Sequence, residues 1–137
     1  MKKLILLFFA CLLLSSCHDT IKGKSIAELQ IPVFHNRLDA GQYNEIYDAT
    51  ADGFKKVTTK EKMNQLLSAI NRKLGAVKSS EVVNWNVTTR NFTTYVVLVS
   101  KTEFEKGTGT ETFTFIVSGT NANLAGYNMN SLDMMTQ

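Results

Sequence analysis

The sequence predicts an α+β fold in which helices come first and an antiparallel sheet follows. Up to residue 75, apolar residues recur every three or four positions, which is the period of an amphipathic helix. From residue 80 onward, apolar and polar residues alternate, which is the period of a strand. Segregated elements of this kind predict N-terminal helices packed on one face of a four-stranded meander sheet. Because long strands twist and coil, the sheet is expected to curve around a cone-shaped interior.

The first predicted helix has recognisable start, interruption and stop signals. Ser25 with Glu28 three residues later is the pattern of a capping box, so the helix is predicted to begin there. Pro32 is predicted to kink or restart the helix, because it has no amide hydrogen and clashes with the preceding turn. Gly41 is predicted to end it as a left-handed cap.

Two further helices are predicted before the sheet. The second is short and is based on the apolar stripe of Tyr43–Tyr47. Phe54 and Val57 follow as predicted core residues on an irregular segment. The third helix begins at Thr58 or Thr59 and has the clearest apolar stripe, formed by Met63, Leu66, Leu67, Ile70 and Leu74.

Four strands are predicted after residue 80. The second strand, Phe92–Glu105, is apolar on both faces over Tyr95–Val99, which predicts a central strand covered on both sides. Leu124–Met129 is predicted as the last strand, and residues 131–137 as a frayed tail. Turns are predicted where Gly and Asn cluster, at Arg90–Asn91, Gly107–Gly109 and Gly119–Asn121.

The N-terminus has the order of residues found in a secretory signal. Basic Lys2 and Lys3 precede an uncharged run, Leu4–Leu14, and two serines then lead into Cys17. The apolar run is eleven residues long, shorter than the ~20 that a helix needs to cross a bilayer. Residues 1–16 are therefore predicted to be a signal peptide. An uncut membrane helix and an ordinary cleaved signal are the alternatives.

The segment Leu14–Cys17 resembles the lipobox of bacterial lipoproteins. The resemblance implies that Cys17 becomes the first mature residue and carries lipid, palmitate included, on its sulfur and amine. Residues 17–24 are then predicted to be a flexible tether for a domain over residues 25–130. In a Gram-negative cell, His18 after the cysteine favours the outer membrane, with the domain facing the periplasm.

Composition excludes several classes of function. Without residues 1–16 the chain has 121 residues, enough for one compact domain, and a formal charge of +1. Cys11 leaves with the signal and Cys17 is used for lipid, so no thiol nucleophile or cysteine-based metal site is expected. Basic residues are not interleaved with aromatic ones, which argues against nucleic acid as a partner. No phosphate loop or zinc spacing is present, and no cofactor is predicted.

The segment Phe34–Tyr43 resembles a motif that opens many nuclear transport factor 2-like (cystatin-like) domains. The motif is Leu-Asp-Ala-Gly-Asp-Tyr with a Phe a few residues before it. Leu124–Tyr127 is similar to uncharacterised bacterial lipoprotein members of that superfamily. The resemblance covers roughly residues 25–130, although Gln42 replaces the usual acid and Pro32 is atypical. It implies a cone-shaped fold. Because the superfamily includes isomerases, dehydratases, small-molecule binders and assembly modules, it implies no single function.

The resemblance implies that catalytic members work with Asp, His and Tyr inside the cone. His35 and Asp39 lie one turn apart on the first helix, so an imidazole oriented by a carboxylate is a candidate general base. A solvent-facing polar pair is the alternative. Aromatic residues are candidates either for lining a ligand pocket or for filling the core, namely Tyr47, Trp85, Tyr95, Phe113, Phe115 and Tyr127.

A sheet face with few charged residues is the last candidate site. It is either an ordinary solvated surface or a contact surface for dimerisation or for a protein partner. It consists of Asn84, Asn86, Thr88, Thr110, Thr112 and Thr114. Together these observations predict a membrane-anchored envelope lipoprotein that binds a protein or a small ligand without catalysis. The alternatives are a small hydrolase or isomerase using His35 and Asp39, and a self-assembling structural module.

Overall fold

The computed structural model of the protein describes residues 19–136. In this part of the chain the helices are α1 over residues 19–28, α2 Gln30–Asp39, α3 Tyr43–Asp48, α4 Asp52–Val57, α5 Lys60–Leu74 and α6 Leu132–Thr136. The strands are β1 Val77–Arg90, β2 Thr93–Phe104, β3 Gly107–Ser118 and β4 Asn121–Asn130.

The four strands form one antiparallel sheet in the order β1-β2-β3-β4. All three connections are short turns, so the sheet is a meander, and the predicted α+β fold is confirmed. The turn between β2 and β3 lies at Glu105–Lys106, two residues before the predicted loop at Gly107–Gly109.

The core lies between the helices and one face of the sheet, here called the inner face. Val96 and Leu98 of β2 and Phe113 of β3 point into it and are fully buried. The intervening β2 residues Val97 and Val99 are only partly buried on the opposite, outer face. The prediction that β2 is covered on both sides is therefore wrong for the residues that the structure describes. The apolar residues on its outer face reflect strand preference rather than a second layer.

The first helix begins earlier than predicted. α1 is already helical at residue 19, and the Ser25 hydroxyl donates to the Ile21 carbonyl within it, so Ser25 is not the cap. Residues 19–24 of the predicted tether 17–24 are consequently helical. The helix is interrupted at Leu29. Pro32 lies in the first turn of α2, where its missing N–H costs no intrahelical hydrogen bond. The predicted restart at Pro32 is confirmed.

Two other local predictions need correction. Residues 52–57 form a regular helix, α4, in which Phe54 is buried but Val57 is 80% exposed, so Val57 is not a core residue. The C-terminal segment is not frayed over its described residues, because α6 packs on the start of β3 and the Asp133 carboxylate accepts from the Thr108 amide at 2.8 Å.

Candidate functional site

A buried hydrogen-bonded cluster joins α2 to the inner face of the sheet. We call it the Glu111 cluster: His35, Thr102, Glu111 and Tyr127. His35 Nε2 lies 2.7 Å from Glu111 Oε2, and the Thr102 hydroxyl donates to the same oxygen at 2.6 Å. The Tyr127 hydroxyl donates to Glu111 Oε1 at 2.7 Å. Both carboxylate oxygens are therefore engaged by protein groups.

Strand alternation places these polar residues in the interior. On β2 the inward positions change from apolar Val96 and Leu98 to polar Ser100 and Thr102, and then back to Phe104. The register places Glu111 of β3 opposite Ser100. The acidic side chain thus points into the core at the polar part of the inner face, and α2 crosses there with His35.

Hydroxyl donors satisfy both oxygens of the Glu111 carboxylate. The pKa of the Tyr127 hydroxyl is raised well above its usual value, first by burial and then by the negative charge of Glu111. Tyr127 therefore stays protonated and keeps donating to the carboxylate.

The His35 ring is held in one orientation. Its Nε2 faces Glu111, and the ring of Phe113 contacts it edge-on with centroids 6.0 Å apart. When Glu111 is ionised, Nε2 carries the proton, and in a neutral imidazole the other nitrogen is then an acceptor. Among residues 19–136, no group donates to that second nitrogen.

A cleft of about 320 Å³ opens beside His35. Its volume is in the range of small-ligand sites, and its lining combines apolar side chains with a few polar ones. It is lined by Ile31, Pro32, His35, Asn36, Asp39, Val77 and Ser80. We call it the His35 cleft.

A second, larger groove of about 870 Å³ reaches the same cluster at Thr102. Its lining is mainly polar and includes Thr102 and Ser80, which also lines the His35 cleft. The Ser80 hydroxyl lies 2.8 Å from the Thr102 hydroxyl. A continuous line of hydrogen bonds therefore runs from His35 through Glu111 and Thr102 to Ser80.

The structure gives His35 a different carboxylate from the one that the sequence suggested. Asp39 lines the same cleft, but its oxygens accept from the Val77 amide at 3.1 and 3.3 Å. The partner of His35 is Glu111, which lies 76 positions away in the chain. Sequence reasoning missed Glu111, and the signal that could have identified it is an acidic residue at an inward position of an alternating strand.

The six aromatic pocket candidates do not line one cavity. Phe113 and Phe115 stack in the core, and Tyr127 belongs to the Glu111 cluster. The others are dispersed: Tyr47 donates to the Thr58 carbonyl, Trp85 is 44% exposed beneath Lys24, and Tyr95 lies on the outer face.

The Asn and Thr residues proposed as a contact surface share the outer face. The register aligns Asn84, Val99, Thr112 and Asn128 in one row across the four strands. No described helix covers this row, and its valine is partly exposed. Whether it contacts a partner stays a prediction.

Cys17 lies outside the described residues, and its lipidation stays a prediction. Within residues 19–136, every helix is too short or too polar to cross a membrane.

Comparison with known proteins assigns a family. Residues 33–127 match the model of a family described as protein of unknown function (DUF4019). The chain belongs to the DUF4019 family. The match begins within α2 and ends within β4, so it contains every member of the Glu111 cluster. No curated protein matches the chain.

A distant similarity to a solved structure was also found. The structure of Bd1075 from Bdellovibrio bacteriovorus aligns with a TM-score of 0.48 and 12% sequence identity. The alignment covers 77% of this chain and 39% of that chain, so this DUF4019 protein spans about two fifths of the length of Bd1075.

Proposed function

We propose that this DUF4019 protein is an envelope lipoprotein, anchored through lipid on Cys17, whose domain binds a small polar ligand without changing it. The observation that carries the binding role is the His35 cleft beside the Glu111 cluster. The three other side chains of the cluster all contact Glu111, so the carboxylate fixes His35 rather than reaching a ligand itself. An imidazole that is fixed in the wall of a cleft, with 5% of its surface exposed, is a pre-organised hydrogen-bonding group.

The groups in the cleft favour a ligand that donates hydrogen bonds. The Asp39 carboxylate and the unprotonated nitrogen of a neutral His35 both accept, and the apolar wall of the cleft is formed by Ile31, Pro32 and Val77. An amine or a hydroxyl compound with a short apolar part matches this lining. The resemblance of residues 25–130 to nuclear transport factor 2-like domains supports binding, since that superfamily includes small-molecule binders.

Binding is testable by NMR titration with a panel of small amines and hydroxyl compounds. We expect at least one compound to shift the amide signals of Asn36 and Val77, and Asp39→Asn to weaken that response. Asp52→Asn is the matched control, because Asp52 is exposed on α4 outside the cleft lining. A panel that leaves those amides unchanged, or an equal response in Asp39→Asn, would contradict the proposed site.

The anchor has its own test and its own control. Cys17→Ser should abolish palmitate labelling and leave an unprocessed precursor. Cys11→Ser should leave labelling intact, because Cys11 lies within the predicted signal. Continued labelling of the Cys17→Ser protein would contradict the lipobox.

Proton transfer is the second candidate function, and the distance of 2.7 Å between His35 Nε2 and Glu111 Oε2 favours it. A histidine oriented by a carboxylate is the arrangement of a general base, which removes a proton from a bound substrate. The same NMR samples distinguish the two functions. New signals from a converted compound, lost in His35→Gln, would indicate catalysis, whereas an unchanged compound supports binding alone.

A further inference from the structure

The tip of the β1–β2 hairpin exposes a large aromatic side chain. Phe92 is fully exposed, at 106% of its reference area, and contributes nothing to the core. The turn has two residues, Asn91 and Phe92, between the paired residues Arg90 and Thr93. Among the large apolar side chains of residues 19–136, that of Phe92 is the most exposed.

The backbone at Phe92 gives no structural reason for this residue. Asn91 has φ 49° and Phe92 has φ 62°, so both lie in the left-handed region required by a type I′ hairpin turn. Asn suits the first position, whereas the second favours Gly, and a bulky residue there is strained. Phe92 is thus held in a strained conformation without any packing in return.

The direction of the N-terminal helices shows which end of the molecule this tip occupies. Gly23 of α1 lies against the Val96 side chain, whereas His35 of α2 contacts Glu111 beside Thr102. Along β2, residue 96 is closer to the hairpin tip than residue 102. The helices therefore run away from the tip, and the N-terminal end of α1 points toward it.

The lengths of the intervening segments allow the predicted lipid anchor to reach the level of the tip. From Val96 back to Phe92 a strand spans about 13 Å. From Gly23 back to residue 19 the helix covers about 6 Å. Cys17 is two residues earlier, and two residues span at most about 7 Å.

We infer that Phe92 inserts into the lipid surface beside the anchored N-terminus, as a second contact between the domain and its membrane. This inference rests on the proposed lipid anchor at Cys17. The neighbouring chemistry fits a lipid surface, because Arg90 flanks the tip and Ile21 and Lys22 are exposed in the first turns of α1. Aromatic and basic side chains side by side are typical of residues at a membrane interface. Asp19 also lies at this end, so apolar insertion rather than net charge carries the contact.

Insertion of Phe92 would orient the whole domain. The Glu111 cluster lies about nine residues farther along β2 from the tip, which corresponds to roughly 30 Å. The His35 cleft would then face away from the bilayer, toward the aqueous space.

A tryptophan scan of the full-length lipidated protein tests the inference. The background is Trp85→Phe, which removes the single native tryptophan. Phe92→Trp reports on the tip, and Leu132→Trp is the matched control, because Leu132 is an apolar residue 74% exposed at the opposite end of the sheet. Each protein is reconstituted into phosphatidylethanolamine and phosphatidylglycerol vesicles with brominated acyl chains.

We expect the Phe92→Trp protein to lose fluorescence in brominated vesicles and to shift its emission to shorter wavelength. The Leu132→Trp protein should change neither intensity nor wavelength. Equal responses of the two variants, or unquenched fluorescence from Phe92→Trp protein that floats with the vesicles, would overturn the inference alone. Failure of the lipidated protein to float with vesicles would instead overturn the anchor and the inference together. Circular dichroism of both variants confirms that the comparison is between folded proteins.

Discussion

The two ends of the sheet break the rule of apolar inside and polar outside in opposite ways. At the β1–β2 turn, Phe92 exposes an aromatic side chain on a strained backbone. At the other end, Glu111 buries a carboxylate completely among the helices and strands. The first residue has no partner in the described fold, whereas the second has three. The hydrogen-bond partners of Glu111 make it part of a site within the domain. Phe92 packs against nothing in the described fold, so we look for its role in a contact outside the domain.

Stability alone explains neither exception. Replacing a buried charged network with apolar residues of similar volume is often neutral or stabilising. Glycine would suit the Phe92 position better than phenylalanine. In the remainder of the inner face, apolar side chains fill the space without charge. The polar end and the exposed tip are therefore the two regions where we expect selection for something other than folding.

The largest effect is expected from removal of the buried carboxylate. Glu111→Ala leaves three side chains without their hydrogen-bond partner and opens a cavity, so we expect a loss of about 3–5 kcal/mol in the free energy of unfolding. Glu103→Ala is the matched control, because Glu103 is an exposed acid paired with Lys78 on the adjacent strand. An exposed ion pair contributes little to stability, so the control should unfold close to wild type.

Urea unfolding of both variants measures this difference. Equal losses in Glu111→Ala and Glu103→Ala would show that the Glu111 cluster has no special role in the fold. The inner-face polar end would then be energetically like the outer surface.

Sequence periodicity is sufficient for the fold class because it depends on local geometry. The switch from a helical to an alternating pattern at the end of α5, and the left-handed Gly41 after α2, are both dictated by nearby residues. What packs against the two faces of a strand, in contrast, is not set by nearby residues. Tyr95–Val99 reads as buried on both faces, but whether a second layer exists depends on elements elsewhere in the chain.

The candidate site was half predictable for the same reason. His35 stands out as a rare residue beside an apolar stripe, so composition alone identifies it. Helical spacing pairs it with Asp39, one turn away, because spacing relates residues within one element and not residues on different elements. Glu111 approaches His35 only after β3 has paired with β2 and α2 has crossed the sheet.

A medium effect is expected from Tyr127, and it depends on pH. Tyr127→Phe removes one donor from the buried carboxylate, which should cost about 1–3 kcal/mol near neutral pH. The raised pKa of Tyr127 means that the folded protein keeps a proton that the unfolded chain releases above about pH 10. Its contribution to stability is therefore complete below that pH and declines as pH rises further.

Unfolding measured between neutral and strongly alkaline pH separates this effect from general alkaline denaturation. Wild type and Tyr43→Phe should lose stability more steeply above about pH 10 than Tyr127→Phe does. Tyr43 is a suitable control because it lies on α3, and Tyr127 is the tyrosine that contacts Glu111. Parallel curves for Tyr127→Phe and wild type would contradict the placement of this hydroxyl against the carboxylate.

The smallest effect, and one of opposite sign, is expected at the hairpin tip. Phe92→Gly removes about 1–2 kcal/mol of left-handed strain from the folded protein. It also lowers the free energy of unfolding by about 0.5–1 kcal/mol, because glycine has greater freedom in the unfolded chain. The net result should be a gain of roughly 0.5–1 kcal/mol by urea unfolding. Thr120→Gly, in the β3–β4 turn at the same end, should give no gain, because Thr120 does not have a positive φ. A loss of stability in Phe92→Gly would mean that the phenylalanine contributes to the fold after all, and the contrast between an uncompensated tip and a compensated interior would fail.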